Sequence, residues 1–189
     1  MRKMPVGAAS SAVIAFAVFA LAGLLLSACK PAPPPIKEYA YPAWGFRASF
    51  PSAPVESSKP GSADGSTPNA DLVEANDGHH DFAVWAADVS KTSASLDDLA
   101  SSAAQHVSEA SGSTAGIPTY AATSEGATGR EYQLSQGGKW YATMDVYLVG
   151  GRFYEVIGRS ALGKDDPAVK SFLISFHTHG AAPAANSAF

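Results

Sequence analysis

Apolar and polar residues alternate along several short stretches of this chain, and that period of two predicts half-buried β-strands. Phe46, Ala48 and Phe50 alternate in this way and are followed by Pro51 and Pro54. Because proline cannot donate a ladder hydrogen bond, the two prolines mark the end of the strand. The pattern therefore predicts a short strand that ends at Phe50.

A hairpin is predicted over residues 71–76 and 80–89, which are joined by the turn signal Asp77-Gly78. The second arm is apolar on both of its faces, with these two sets of residues: Phe82, Val84 and Ala86, and Ala83, Trp85 and Ala87. A strand that is apolar on both faces is buried on both, so we expect this arm to lie in the centre of a sheet.

Glycine-rich turns divide the second half of the chain into four further predicted strands. They cover residues 119–124, 130–135, 140–149 and 152–157. Connections this short join antiparallel neighbours, because a parallel pair needs a crossover of about a dozen residues or more.

The longest of these strands has two faces of different character. Its first face is apolar and is expected to be fully buried: Trp140, Ala142, Met144, Val146 and Leu148. Its second face is expected to be partly covered and partly in water: Tyr141, Thr143, Asp145, Tyr147 and Val149.

Two helices are predicted from their caps and their apolar spacing. In the first, Ser95 and Asp98 form a capping box and Ser111-Gly112 ends the helix. In the second, Pro167 follows two aspartates and the helix runs to about Phe176. The carboxylate pairs Asp97-Asp98 and Asp165-Asp166 both lie at helix starts, where the helix dipole favours negative charge.

The order of these elements predicts an α+β fold with a single central antiparallel sheet of about six to seven strands and two flanking helices. We place this domain at residues 44–177. The lipidated cysteine and a proline-rich tether are expected at 29–43, and the extended run 30–42 would reach roughly 40 Å from the membrane. A flexible loop is expected at 57–70 and a disordered tail at 178–189.

The first 28 residues resemble a secretory signal peptide. Arg2 and Lys3 precede an uncharged apolar run, and the segment Leu26-Ser-Ala-Cys29 matches the lipobox of bacterial lipoproteins at each position. The run is almost long enough for an uncleaved membrane-spanning helix, which is the alternative. The lipobox favours cleavage before Cys29, with acylation of its thiol.

Composition narrows the classes of function. Of 13 basic residues, two leave with the signal peptide, so 11 remain against 17 acidic ones. An acidic chain without basic runs is not typical of nucleic-acid binding. Cys29 is the only cysteine, so the mature domain has no disulfide. We expect a lipid-anchored protein of the cell envelope that faces the periplasm, on the outer membrane if the cell is Gram-negative, because Lys30 follows the cysteine.

Three short motifs and a final helix carry a resemblance to a known superfamily. The motifs are Phe46-Arg-Ala-Ser-Phe-Pro51, Gly129-Arg-Glu-Tyr132 and Val149-Gly-Gly-Arg-Phe-Tyr154, and the helix closes in Ser175-Phe176. Together they resemble the PsbP-like superfamily, which includes the DcrB-like bacterial lipoproteins. The resemblance implies a central antiparallel sheet flanked by helices and a non-catalytic accessory, assembly or binding role. The Gly/Ser-rich loop departs from the pattern.

A phosphate-binding loop is suggested by the run from Gly158 to Lys164, which fits G-x-x-x-x-G-K between a predicted strand and a helix. The next residue is Asp165, where such a loop has the Ser or Thr that binds magnesium. Asp165 and Asp166 would also repel phosphate, so we expect no nucleotide binding.

Histidine pairs offer a second candidate chemistry. His79 and His80 adjoin a predicted turn, and His177 and His179 follow the last helix, so two pairs could bind zinc or copper. Solvated turn and tail histidines are the simpler interpretation, and His106 on the first helix is assigned to packing.

Large aromatic residues and one arginine complete the candidates. Trp44, Trp85, Trp140 and Tyr154 are assigned to the core, with an aromatic ligand pocket as the alternative. Arg130 is assigned to the surface, although it could pair with Glu131 or Glu155 if it were buried.

We therefore predict no enzyme, no catalytic residue, no cofactor and no metal site. The leading hypothesis is a membrane-anchored periplasmic lipoprotein with an accessory or protein-binding domain. Its partners would be the membrane, through the lipid on Cys29, and another envelope protein, and not nucleic acid. The alternative is a lipoprotein that binds a small ligand or a metal.

Overall fold

The fold is seen in a computed structural model that describes residues 36–60, 68–123 and 125–178. Within these ranges the chain forms eleven strands and two helices. The strands are β1 (Lys37–Tyr41), β2 (Phe46–Phe50), β3 (Val55–Lys59), β4 (Ala70–Asn76), β5 (His80–Asp88), β6 (Thr114–Ala115), β7 (Thr119–Ala122), β8 (Thr128–Gln136), β9 (Lys139–Val149), β10 (Arg152–Ser160) and β11 (His177–Thr178). The helices are α1 (Leu96–Ser111) and α2 (Pro167–Ile174).

A large antiparallel sheet forms the centre of the domain. Its order is β3-β4-β5-β10-β9-β8-β6, and β7 also pairs with β8. The α+β class and the antiparallel pairing are confirmed, and so is the central place of β5 between β4 and β10. The sheet has eight strands, so the predicted six to seven was too few. One additional strand is β3, which takes up part of the run expected to be a loop at 57–70.

Two pairs of glycines set the tight turns of this sheet. Gly137 and Gly138 join β8 to β9 with φ of 58° and 76°, and Gly150 and Gly151 join β9 to β10 with φ of 58° and 79°. Positive φ at both central residues matches the twist of a two-residue hairpin, and glycine adopts it without a steric penalty. The conformation of these turns therefore explains why the strands pair as antiparallel hairpins, as the sequence predicts.

A second sheet of three strands has the order β1-β2-β11, so the prediction of a single sheet was wrong. Its presence corrects the predicted tether at 29–43, since residues 37–41 pair with β2 along their whole length. Tyr41 is buried and its ring stacks on Phe46 with centroids 4.7 Å apart. The prediction relied on the prolines around this segment and gave too little weight to its alternating tyrosines. Thr178 is also buried in this sheet, whereas 179–189 lie outside the described residues.

Both helices begin where the sequence predicts. In α1 the capping box of Ser95 and Asp98 is formed, and Gly112 ends the helix with φ of 65°. In α2 the N-cap is Asp166, but the helix ends at Ile174, so that the buried Phe176 follows it. Neither helix is both long and apolar enough to cross a membrane, a finding that concerns the described residues only.

The large sheet has two buried faces with separate apolar layers. On the α1 face, α1 packs over side chains that include Leu134, Met144, Val146 and Phe153. On the α2 face, α2 and the three-stranded sheet cover a more aromatic set: Tyr41, Phe46, Phe50, Phe82, Tyr147, Tyr154, Phe172 and Phe176. The central strands are therefore enclosed from both sides.

A β-bulge in β9 changes the faces predicted for that strand. Leu134 pairs with Ala142, but Ser135 pairs with Trp140, which leaves Tyr141 as the extra residue. Trp140 consequently packs with the layer on the α2 face, opposite to the prediction. Leu148, which was expected to be fully buried, is only half-buried, and Asp145, on the face expected to be partly in water, is buried at 6% exposure.

The corrected burial predicts where truncation of β9 is most damaging. Met144 is fully buried, so Met144→Ala should lower the free energy of unfolding by about 2–5 kcal/mol. Leu148→Ala should cost less, because part of its side chain already contacts water. Urea unfolding of the two variants measures the difference, and an equal or larger loss for Leu148→Ala would contradict this assignment of the core.

Candidate functional site

An open cleft of about 540 Å³ lies beside α2 on the α2 face of the sheet. We call it the α2 cleft. Its wall is formed by Val169 and Leu173 of α2, and its rim includes Lys164 and Lys170. Its floor is formed by polar residues of β8 and β9 together with the displaced tryptophan: Glu131, Gln133, Trp140 and Thr143. The bulge thus brings Trp140 into the cleft.

The polar groups of the floor are held by a chain of hydrogen bonds. The Trp140 indole N–H donates to the Thr143 hydroxyl at 3.3 Å, and this hydroxyl donates to the Gln133 amide oxygen at 3.2 Å. The Gln133 amide nitrogen donates to Glu131 at 2.8 Å. The floor therefore presents fixed hydrogen-bond acceptors beside an apolar wall. The lysines at the rim carry a charge opposite to that of Glu131 on the floor.

Alternation in the sequence is only a partial signal for this floor. Glu131 pairs with Asp145 and Gln133 pairs with Thr143, so the four side chains share one face of two adjacent strands. Each strand shows polar residues at alternate positions, but the sequence does not show that the two sets lie opposite each other. The register that joins them depends on the bulge.

Asp145 is the most unusual residue of this face. The Tyr147 hydroxyl donates to one of its carboxylate oxygens at 3.2 Å, and the other oxygen, Oδ1, is buried without a hydrogen-bond partner. Burial and the nearby negative charge of Glu131 raise the pKa of Asp145 to about 7. Asp145 is thus an acid that is easily protonated at neutral pH, next to the α2 cleft.

His80 joins the hairpin turn to the start of α2. Its Nδ1 lies 2.8 Å from Asp77 and its Nε2 lies 2.9 Å from Asp166. The Ser160 hydroxyl also donates to Asp166 at 2.5 Å. The sequence suggested a solvated turn histidine, but the Asp166 partner is 86 positions away and could not be predicted from local spacing.

The pKa shifts of this cluster have consistent causes. Burial alone would lower the pKa of His80, but the hydrogen bonds with Asp77 and Asp166 outweigh it and raise that pKa. For both aspartates burial acts in the raising direction, yet the bonds from His80, Ser160 and backbone N–H groups lower the pKa. The contacts of this cluster therefore favour the charged form of His80 and of both aspartates.

The phosphate-loop pattern has a structural explanation. The side chain of Asp166 accepts the backbone N–H of Ala168, so a carboxylate already occupies the helix start. Gly158 allows α2 to approach β10, since a Cβ at this position would lie 2.9 Å from Val169 Cγ1. Lys164 is exposed on the rim of the α2 cleft. The motif therefore positions α2 against the sheet.

Among the described residues, His106 and His177 take no part in the His80 cluster. His177 forms an ion pair with Glu125 at 2.8 Å, and His106 is exposed on α1. Within the described ranges, no group of three or more His, Cys, Asp or Glu side chains is arranged to hold a metal. His179 and Cys29 lie outside these ranges.

The other candidate residues serve mainly in packing. The Tyr154 hydroxyl donates to the Trp44 carbonyl oxygen at 2.8 Å, and Trp44 also donates to Asp71. Arg130 is half-buried and pairs with Asp97 of α1 at 2.8 Å, so its partner is neither glutamate considered from the sequence.

A solved structure shares this fold. The chain is similar to the solution structure of cyanobacterial PsbP (CyanoP) from Synechocystis sp. PCC 6803, with a TM-score of 0.53 and 15% sequence identity. The similarity covers 80% of this chain and 97% of that chain. At this identity the likeness establishes the fold alone, and it confirms the PsbP-like architecture expected from the motifs. No family model matches the chain, and no curated protein matches it in sequence.

The His80 cluster predicts a pH-dependent contribution to stability. Because the pKa of His80 is raised, its contribution is present below about pH 6.5 and is lost as pH rises through the folded value. The lowered pKa values of Asp77 and Asp166 make their contribution disappear below about pH 4. His80→Gln should therefore cost about 2 kcal/mol between these limits and less above them.

Urea unfolding from acidic to alkaline pH measures this difference. The matched control is His79→Gln, which alters the neighbouring turn histidine and leaves both ring contacts of His80 intact. A cost of His80→Gln that grows steadily toward alkaline pH would contradict the assigned sign.

Proposed function

We propose that this chain is a membrane-anchored envelope lipoprotein whose PsbP-like domain is a non-enzymatic accessory module that binds another envelope protein. The observation that carries the binding role is the α2 cleft, where an apolar wall meets a fixed polar floor and a charged rim. The lipobox at Leu26–Cys29 supports the anchor.

The anchor and the domain are separated by a short piece of chain. The first strand begins at Lys37, so only the residues after Cys29 and before Lys37 remain as a connection. At about 3.3–3.6 Å per residue they can span no more than roughly 25–30 Å. The proposed partner is therefore a protein that is itself at or near the same membrane.

The surface around α2 suits a protein contact. Leu162 lies five residues before the start of α2 and is 75% exposed, and Ile174 is the last residue of α2 and is 74% exposed. Exposed apolar side chains that are surrounded by polar and charged side chains are typical of protein interfaces. In the described part of the cleft, the floor groups bond to each other, and no nucleophile is paired with a general base there, which favours binding over catalysis.

A small-ligand function is the second candidate. It is favoured by one specific observation, a buried glutamate that faces a cavity on the opposite face of the sheet. That site does not depend on the membrane anchor or on a protein partner.

The anchor is tested by Cys29→Ala. The variant should incorporate no labelled palmitate and should keep its signal peptide, because lipoprotein signal peptidase acts on the modified cysteine. Cys29→Ser is a useful second variant, since it keeps the size of the residue and should fail in the same way. Palmitate incorporation into either variant would refute the lipid anchor.

The binding surface is tested by photo-crosslinking in intact membranes. A photoreactive residue at Gln133, on the floor of the α2 cleft, should give a discrete adduct with one envelope protein. The matched control is the exposed Gln105 of α1, which should give none. Equal adducts at both positions, or none at Gln133 and at a second cleft position such as Leu173, would contradict the proposed surface.

A further inference from the structure

Glu155 lies in the middle of β10 on the α1 face of the sheet and is only 4% exposed. It pairs in register with Trp85 of β5 on one side and with Val146 of β9 on the other. Among the described residues, no hydrogen bond or ion pair reaches its carboxyl group. An acidic group in this position is costly, because a carboxylate that is almost wholly buried and has no partner loses most of its hydration.

Glu155 lines a cavity of about 270 Å³. Trp85 and Phe153 form its floor beside Glu155, and one side of α1 forms its roof. The roof residues follow helical spacing at one side of α1: Leu99, Ser102, Ala103 and His106. Ser102 and His106 are exposed, so the cavity opens to solvent along this side of the helix.

The charge of the cavity is set by Glu155. No Lys or Arg is among the described residues that line it, and no ion pair with Glu155 is formed within the described part of the chain. Burial raises the pKa of Glu155 to about 7, so this carboxyl group is partly protonated at neutral pH when no ligand is bound. A bound cation would remove that penalty and would hold the group ionised.

Aromatic surface next to a carboxylate defines the complementary ligand. An ammonium group can form an ion pair with the carboxylate and also contact the face of a tryptophan ring. A compact apolar body can fill the remaining space between Phe153 and Leu99. We propose that this cavity binds a small organic ammonium ion, with Glu155 as its counter-ion and Trp85 as the aromatic wall.

Other ligand classes fit the same cavity poorly. An anion would be repelled by Glu155. A transition metal would find only Glu155 and His106 as ligating side chains among the described lining residues, fewer than its usual coordination requires. A neutral apolar molecule would fill the space but would leave the carboxyl group without a partner. The proposal is independent of the proposed protein-binding function, because the α2 cleft lies on the other face of the sheet.

The test measures binding of benzylammonium to the full-length protein in detergent by ligand-observed NMR, at a pH above the pKa of Glu155. Benzyl alcohol is the neutral probe of similar shape. Glu155→Gln removes the charge and keeps the size of the side chain, and Trp85→Leu removes the aromatic face. The matched control is Asp145→Asn, which neutralises the buried acid on the opposite face of the sheet. Circular dichroism confirms that each variant is folded.

The proposal predicts saturable binding of benzylammonium that is at least about tenfold weaker in Glu155→Gln and nearly unchanged in Asp145→Asn. Trp85→Leu should also weaken it, and benzyl alcohol should bind at least about tenfold less tightly. The lysine derivative Nα-acetyllysine amide should bind less tightly than benzylammonium, since its ammonium group ends a flexible chain.

Three results would overturn the proposal. The first is the absence of saturable benzylammonium binding up to about 10 mM. The second is equal binding by Glu155→Gln or by benzyl alcohol, which would show that the charge is not recognised. The third is a preference for the lysine derivative, which would assign the cavity to a lysine side chain of a protein rather than to a small free amine.

Discussion

Burial of both faces of the central strands is the constraint on which the rest of this structure depends. Val156 of β10 is fully buried on the α2 face, and Phe153 of the same strand is buried on the α1 face. Two apolar faces need two covering layers. The chain has only two helices in its described ranges, so the three-stranded sheet completes the second layer.

The arrangement of the two helices and the three-stranded sheet over the faces of the large sheet explains where the cavities lie. The helix α1 covers the β8 and β9 side of its face, and the cavity at Glu155 opens toward β5. The helix α2 is short and lies over β5 and β10, so the α2 cleft opens toward β8 and β9. Each face thus has a helix, a cavity beside that helix and a buried acid in a central strand. Asp145 and Glu155 lie in neighbouring strands and point to opposite faces of the sheet.

Much of this architecture could be predicted from local sequence signals. Paired glycines, the Asp77-Gly78 turn and the Ser95–Asp98 capping box act over a few residues, and the structure agrees with each. The segment Lys37–Tyr41 was misjudged because prolines dominate the composition around it, whereas its pairing with β2 is decided by two tyrosines. Local signals are therefore reliable for turns and caps but not for the boundary of the domain.

The candidate sites were harder to predict because they depend on register and on distant contacts. The bulge at Tyr141 moves Trp140 to the other face, and no local signal in β9 requires it. Glu155 and Asp145 read as ordinary polar positions of strands, and their burial follows only from the layers packed against them. Sequence patterns thus predicted most of the strands and both helices, whereas the burial of the two acids depends on packing that the local sequence does not show.

The most direct test of this account is an NMR titration of the side-chain carboxyl groups in uniformly ¹³C-labelled protein. If each face of the sheet encloses an acid in an apolar layer, Asp145 and Glu155 both titrate near pH 7, well above the value of about 4 that is usual for a carboxyl group in water. Titration of Asp145 and Glu155 together with the exposed carboxyl groups would contradict the account.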